Sequence, residues 1–451
     1  MRSSARLALI RPGLGSAGGR PYASRACMEP KALALLAGLT PPDVQVRAVD
    51  DRFEPIPYDE PWDLVALSVG TYEARRAYEI ADRFRARGVP VVLGGFHPSL
   101  CPDEAQEHAD VVAIGEAEGL WPTVVEDARR GALQPRYRQR RRPCLDGVLP
   151  RRDVFRGRRY APLSVVQYGR GCNHNCEFCS IKAFYGGGLR YRPVEDVLAE
   201  LAPERRQRIF FADDNIVADP DRAAALFEAL IPLGRRWIGQ VSLDVVDRPG
   251  LLELMARSGC QCVIVGLESL NREALRQMGK GWSRADEHAR RLSAIRDHGI
   301  TVYGTFVFGY DADRPGDFDV ALDFAVRQRL LMANFNALQP FPGTRLYERL
   351  AREGRLIHER WWLDDDYRFG DPAFHPRGMS AAQLAEGSAR ARARFHGAKS
   401  ILWRMLDSAN LRSVSNAVLY LVANLASRHD IERKRGIALG LERGRAARDA
   451  A

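Results

Sequence analysis

Along residues 5 to 130, short apolar runs alternate with stretches in which apolar residues return every three or four positions. The runs are Leu7–Ile10, Val44–Val49, Leu64–Val69, Val91–Leu93 and Val111–Ile114. Continuous apolar runs of this kind read as strands buried on both faces, and Tyr72–Arg87 reads as an amphipathic helix between two of them. The alternation predicts an α/β domain with a doubly wound parallel sheet, whose ligands bind beyond the carboxyl ends of the strands. Small or polar residues stand at those ends: Ser68 to Thr71, Gly94-Gly95, and Gly115-Glu116-Ala117-Glu118.

The same alternation resumes between Ala161 and Leu338. Strands are expected at Leu163–Tyr168, Arg208–Ala212, Trp237–Leu243, Gln261–Val265, Thr301–Phe308 and Ala333–Leu338. Helical spacing lies between them at Val194–Leu201, Ala223–Leu230 and Ser283–His298. The intervening stretch holds Pro135, Pro143, Pro150 and the basic run Arg138 to Arg142, which argues for an extended, solvated linker. Beyond residue 350 the pattern is helical, at Ala382–Phe395, Ser400–Leu406 and Val414–Leu425; the last is too short to span a bilayer and suits packing on the second domain or lining a substrate entrance. The Arg/Ala/Gly-rich end from Arg433 is expected to fray. Domain boundaries follow at 1–133, 134–160, 161–350 and 351–451. Trp361-Trp362 suit core packing more than a pocket floor. Gly13-Leu14-Gly15-Ser16-Ala17-Gly18 fits a dinucleotide fingerprint, but no helix opens from it, so a loop over the sheet edge is expected.

Composition changes this picture little. At 451 residues, 46% hydrophobic and 27% charged, the chain is an ordinary multi-domain globular protein. No signal peptide or membrane-spanning run is visible, so peripheral contact is the only membrane role left open. The charge of +10, carried almost entirely by arginine, suits an anionic partner or simply an arginine-rich proteome. Five of the eight cysteines are scattered, which fits a reducing cytoplasm.

The other three cysteines carry the chemistry. Cys172, Cys176 and Cys179 occupy the loop GRGCNHNCEFCSI directly after a predicted strand. Three thiolates hold three irons of a [4Fe–4S] cube and leave the fourth open for a ligand. Zinc would want a fourth donor, and His174 lies poorly placed between the cysteines. Phe178 offers a flat face for a purine. Asp213 and Asp214, after the second strand of this region, can accept from an ammonium group. Gln240 and Ser242 share one face of the third strand, as a polar ligand requires. Gly309 would let the backbone of the fifth strand end approach a ligand closely.

This loop resembles the signature of the radical S-adenosylmethionine (SAM) enzymes. The resemblance implies a partial (β/α)6 barrel and a cluster that binds SAM at its open iron and cleaves it to a 5′-deoxyadenosyl radical. Gly266-Leu267-Glu268-Ser269, with Lys280 downstream, and Gln339-Pro340-Phe341-Pro342-Gly343-Thr344 are similar to segments of the subclass with an N-terminal cobalamin-binding domain. By that likeness Glu268 and Ser269 bind SAM, while Ser68, Thr71, Gly94 and Gly95 line the groove for the cobalamin nucleotide tail. The D-x-H-x-x-G motif of other cobalamin proteins is absent, so no histidine ligand to cobalt is implied. The implied activity is cobalamin-dependent methylation of an unactivated carbon on a small molecule, such as a lipid, tetrapyrrole or secondary metabolite. The alternative is a non-methylating cyclisation, oxidation or rearrangement with the cobalamin-type domain auxiliary. An electron donor such as flavodoxin or ferredoxin is implied, and no nucleic acid. Neither substrate nor proton donor is legible.

Overall fold

The computed structural model describes residues 5–17 and 20–441. Two six-stranded sheets, parallel throughout, form its frame. In the first, the strands lie in the order Gln45–Asp50, Arg6–Arg11, Leu64–Ser68, Val91–Gly94, Val111–Ile114 and Arg136–Arg138. The order reverses beside Arg6–Arg11, so this is a doubly wound sheet with a switch point. Leu7 to Ile10 are fully buried because helices cover both faces.

The sixth strand corrects the expected linker. In Arg136-Tyr137-Arg138 the arginines face solvent while Tyr137 turns inward, its hydroxyl donating to Asp127 at 2.6 Å. Two exposed arginines around one tyrosine hid an edge strand, where charge on the outer face is tolerated.

The second sheet runs in strict sequence order: Ser164–Val166, Arg208–Phe211, Arg236–Val241, Cys260–Glu268, Thr301–Phe308 and Met332–Ala337. All six expected strands are present. Val263, Val265, Phe306 and Phe308 join the helices in one large core. The intervening positions Ile264, Tyr303, Thr305, Asn334 and Asn336 stay partly exposed on the concave face. This is the open, partial barrel that the resemblance implies.

After the barrel the chain returns to the first domain. Trp361 and Trp362 are both buried in that domain's core, donating to Pro340 O and to the Glu104 carboxylate, each at 2.9 Å. The helix Ala381–Phe395 opens with a capping box between Ser380 and Gln383 and packs on Met332–Ala337. Val414–Lys434 is longer than its apolar pattern, because its last turns are polar.

The segment expected to fray from Arg433 is ordered as far as residue 441. Ala438–Leu439 pairs antiparallel with Gly15–Ala17, which also pairs with Arg20–Pro21. The predicted glycine loop is thus part of a three-stranded ribbon. A Cβ on Gly15 would sit 2.0 Å from the Ala438 carbonyl oxygen, so only glycine permits this pairing. Gly18 of that motif and the tail 442–451 lie outside the described residues. Among the described residues, no helix is long and apolar enough to cross a membrane.

Candidate active site between the two sheets

The cysteine loop leaves the first barrel strand and is held from below by two carboxylates. Asp213 accepts from the Tyr168 and Gly169 amides, and Asp214 accepts from Gly171 N at 2.9 Å. Burial raises Asp213 to about 7 against the opposing pull of the two amides. Gly171 has φ 93°, and a Cβ there would meet Gly188 O at 2.5 Å. The conformation and the space both demand glycine.

All three thiols are free and half-buried. Burial raises each thiol pKa, that of Cys176 to about 11, while the Lys280 ammonium pulls it down. For Cys179 the amides of Lys182 and Ile181, at the start of the helix Ser180–Tyr185, also oppose burial. The cysteines sense one another electrostatically, and Asp214 acts on Cys172 and Cys179. Among the described residues no three His, Cys, Asp or Glu side chains converge on one ion position. Three thiolates suit a cube, whose irons stand at separate corners and whose binding would deprotonate the thiols.

Lys280 is the centre of the site's charge. Its Nζ donates to Glu268 Oε1 at 2.7 Å and to Gly266 O at 3.1 Å. Glu268 adopts φ 61°, rare for a non-glycine residue, where the strand register slips between Gly266 and Glu268. That kink folds the carboxylate back over Gly266. A Cβ on Gly266 would lie 2.3 Å from Glu268 Oε1 and 3.0 Å from Lys280 Nζ, which explains a glycine two residues before the glutamate. Backbone strain of this kind is stored where a site needs it. The segment beyond docks on the cysteine loop: Glu177 N donates to Met278 O at 3.0 Å, and His174 stacks on Trp282 at 4.0 Å.

The remaining expected SAM residues divide. Ser242 exchanges two hydrogen bonds with Asn215, a residue left off the candidate set, and Gln240 beside it is exposed. Phe178 packs its ring against the barrel core. Ser269 is buried, its hydroxyl accepting from Asn271 N at the next helix start. Gly309 stands apart from this group. Its amide donates to Asp313, and a Cβ there would meet Leu384 and Phe374, so the position serves a packed turn.

The expected cobalamin residues come together at the carboxyl edge of the first sheet. Ser68 and Gly94 are register partners, and Thr71 opens the short helix after Ser68. Gly95, at φ 105°, lies so close to Val69 that a Cβ would be 2.8 Å from its carbonyl oxygen. Ser99 ties two of these turns together, donating to Gly95 O at 2.7 Å and accepting from Gly115 N at 3.0 Å. Ser68, Gly94 and Gly95 stay partly exposed, a small-residue edge that suits a nucleotide tail. His97 nearby is fully buried and spends its Nε2 on Tyr78 and Glu104, so it is not presented to a ligand.

The two carboxyl edges are fastened to each other. Arg170, within the cysteine loop, donates to Glu116 at 2.7 Å and to Glu118 at 2.5 Å. Burial opposes the Glu118 charge, but Arg170 overcomes it and holds that carboxyl below its ordinary pKa. Arg190 adds a second contact to Glu116 at 2.8 Å. Phe96 of the first domain stacks on Phe184, after the last cysteine, at 4.3 Å. Gly343 of the sixth strand end abuts Leu100.

A partial barrel with a three-thiol loop at its carboxyl edge is fastened here to the carboxyl edge of a second parallel sheet, the arrangement against which known proteins can be compared. The B12-binding domain family matches residues 34–125, and the radical SAM superfamily matches residues 166–325. The bacteriochlorophyllide d C-12(1)-methyltransferase of Chlorobaculum tepidum is 31% identical, over 85% of this chain and 86% of that protein. The hopanoid C-2 methylase of Rhodopseudomonas palustris is 29% identical, over 74% of this chain and 64% of that protein. Among solved structures, the radical SAM methyltransferase TsrM of Kitasatospora setae, with tryptophan and a SAM analogue bound, superposes with a TM-score of 0.65. That match has 16% identity and covers 99% of this chain and 100% of that one. The chain belongs to the family of cobalamin-dependent radical SAM methyltransferases. It is therefore an enzyme whose cofactors are a [4Fe–4S] cluster, SAM and cobalamin.

Proposed function

We propose that this enzyme moves a methyl group to an unactivated carbon of an apolar small molecule held between the two sheets. When bound, the cluster and SAM supply a hydrogen-abstracting radical and cobalamin supplies the methyl group. The residues of this chain position these groups. Cys172, Cys176 and Cys179 would hold the cluster. Lys280 orients the Glu268 carboxylate and offers positive charge beside the thiols. Asp214, Gln240, Ser242 and Phe178 line the SAM side, and Ser68, Thr71, Gly94 and Gly95 the cobalamin side. The observation that carries this reading is the Arg170 link to Glu116 and Glu118, which fastens the two carboxyl edges to each other.

The concave face favours a substrate with one acidic group on an apolar frame. Arg392 reaches it from the helix Ala381–Phe395, donating to Phe335 O at 3.0 Å and Asn336 Oδ1 at 2.7 Å. Burial lowers its pKa, and tyrosines 303 and 72 lie within its field. A cation so placed suits a substrate carboxylate. Relatives named for tetrapyrrole and hopanoid methylation support the apolar frame. A flavodoxin- or ferredoxin-type protein in a reducing cytoplasm would supply the electron.

The test is anaerobic turnover of the reconstituted enzyme with trideuteromethyl-SAM and candidate polycyclic acids. A product carrying the labelled methyl on carbon supports the reading. SAM cleavage with a product of unchanged carbon count would overturn it in favour of a non-methylating rearrangement or oxidation.

A further inference from the structure

The last helices carry an apolar face that nothing in the described chain covers. Of fifteen large apolar side chains in solvent, nine fall between Leu402 and Leu425. On Val414–Lys434 they are Val414, Val418, Leu421, Val422 and Leu425, spaced to share one side of the helix. Asn416, Tyr420 and Asn424 hold the opposite side, donating to Ala409 O, Ile401 O and Leu331 O. The helix Ala398–Met405 likewise buries Ile401 and Arg404 and leaves Leu402 and Trp403 outside, at 66% and 51% exposure. Contiguous apolar surface on this scale marks an interaction site.

The charge around the face identifies what it meets. From residue 387 to 429 the only carboxylate is Asp407, which is buried and paired with Arg296 at 3.3 Å. Lys399, Arg412 and Arg428 are exposed on the same helices, and the Arg329 guanidinium lies over the Trp403 ring at 5.0 Å. A second copy of the chain would bring this cationic rim against itself. An anionic bilayer offers acyl chains to the apolar side chains, phosphates to the cations, and an interfacial layer that tryptophan favours.

We propose that these helices dock the enzyme on an anionic membrane surface, lying in the interface without spanning it. The two binding energies come from different residues. Val418 and Val422 insert apolar surface, and the basic rim adds a salt-sensitive attraction. The docking does not depend on the methyl-transfer reading.

The test is co-sedimentation of the full-length, cluster-loaded protein with vesicles of phosphatidylglycerol and phosphatidylcholine, against phosphatidylcholine alone. Binding to the anionic vesicles is expected, weakening with salt. Val418→Glu/Val422→Glu changes only exposed positions and should weaken binding by roughly tenfold or more, with SAM cleavage unchanged. Lys399→Glu/Arg428→Glu should weaken it roughly tenfold. Absence of vesicle binding, or binding indifferent to both variants, overturns the proposal. So does a stable dimer in sedimentation velocity that the valine variant breaks, since the face would then belong to a second copy.

Discussion

The two sheets are built alike and used differently. Both are parallel, six-stranded and edged with polar turns at their carboxyl ends. In the first sheet the strand order reverses, and the edge beside the reversal is made of small side chains and glycine backbone: Ser68, Thr71, Gly94 and Gly95. In the second the order is sequential, and the edge carries ionisable groups: three thiols, Asp214, Glu268 and Lys280. The first edge can shape itself to a large ligand by close backbone approach, while its carboxylates Glu116 and Glu118 are spent on Arg170 and Arg190. The second edge concentrates its charge where Lys280, Glu268, Asp214 and the thiols act on one another. The proposed division of labour between the cofactors follows this difference.

Removing a thiol should break the comparison most completely. Cys176→Ala is expected to abolish 5′-deoxyadenosine formation while leaving corrinoid binding intact, read by product chromatography and the visible spectrum. Glu118→Gln tests the fastening between the edges. It leaves Arg170 with Glu116 as its one carboxylate partner, a cost of about 1.5–3 kcal/mol for a lost charge-assisted hydrogen bond. Methylation should fall roughly a hundredfold, while SAM cleavage, which needs only the barrel edge, changes little. Equal loss of both activities would mean that the link supports the cluster loop rather than the alignment.

Gly95→Ala probes the first edge alone. The positive φ and the 2.8 Å approach to Val69 O imply strain of roughly 1–3 kcal/mol. Corrinoid retention should weaken accordingly, with SAM cleavage intact. Arg392→Gln should have the smallest effect. If the substrate bears an acid, KM rises roughly tenfold, the value of a charge-assisted hydrogen bond, and kcat is little changed. The methyl ester of that substrate should not distinguish the variant from the parent enzyme.

Much of this was legible in the chain. Both sheets could be read because their strands are uninterrupted apolar runs, and the cysteine spacing is specific. What escaped was non-local or disguised. Arg136–Arg138 is a strand with charge on its outer face. The C-terminal strand Ala438–Leu439 has no pattern of its own and exists because Gly15 leaves room for it. The link from Arg170 to Glu118 joins residues 52 apart in sequence, and only the packing of one domain on the other reveals it. The pairing of Asn215 with Ser242 joins the ends of two strands, and only the fold brings them together. The kink at Glu268 could not be foreseen, although the glycine at 266 was its trace. Gly309 is ambiguous for the same reason: a glycine at a strand end serves either a ligand or a packed turn, and a Cβ here would meet Leu384 and Phe374.

The central claim is that two cofactors face each other across one gap, and it is tested most directly by reconstituting the protein anaerobically with iron, sulfide and hydroxocobalamin. The corrinoid and cluster content is then measured after desalting. The account predicts one corrinoid and one [4Fe–4S] cluster per chain, with the corrinoid lost selectively in Gly95→Ala. A protein that keeps its cluster and cleaves SAM, yet retains no corrinoid, would contradict it.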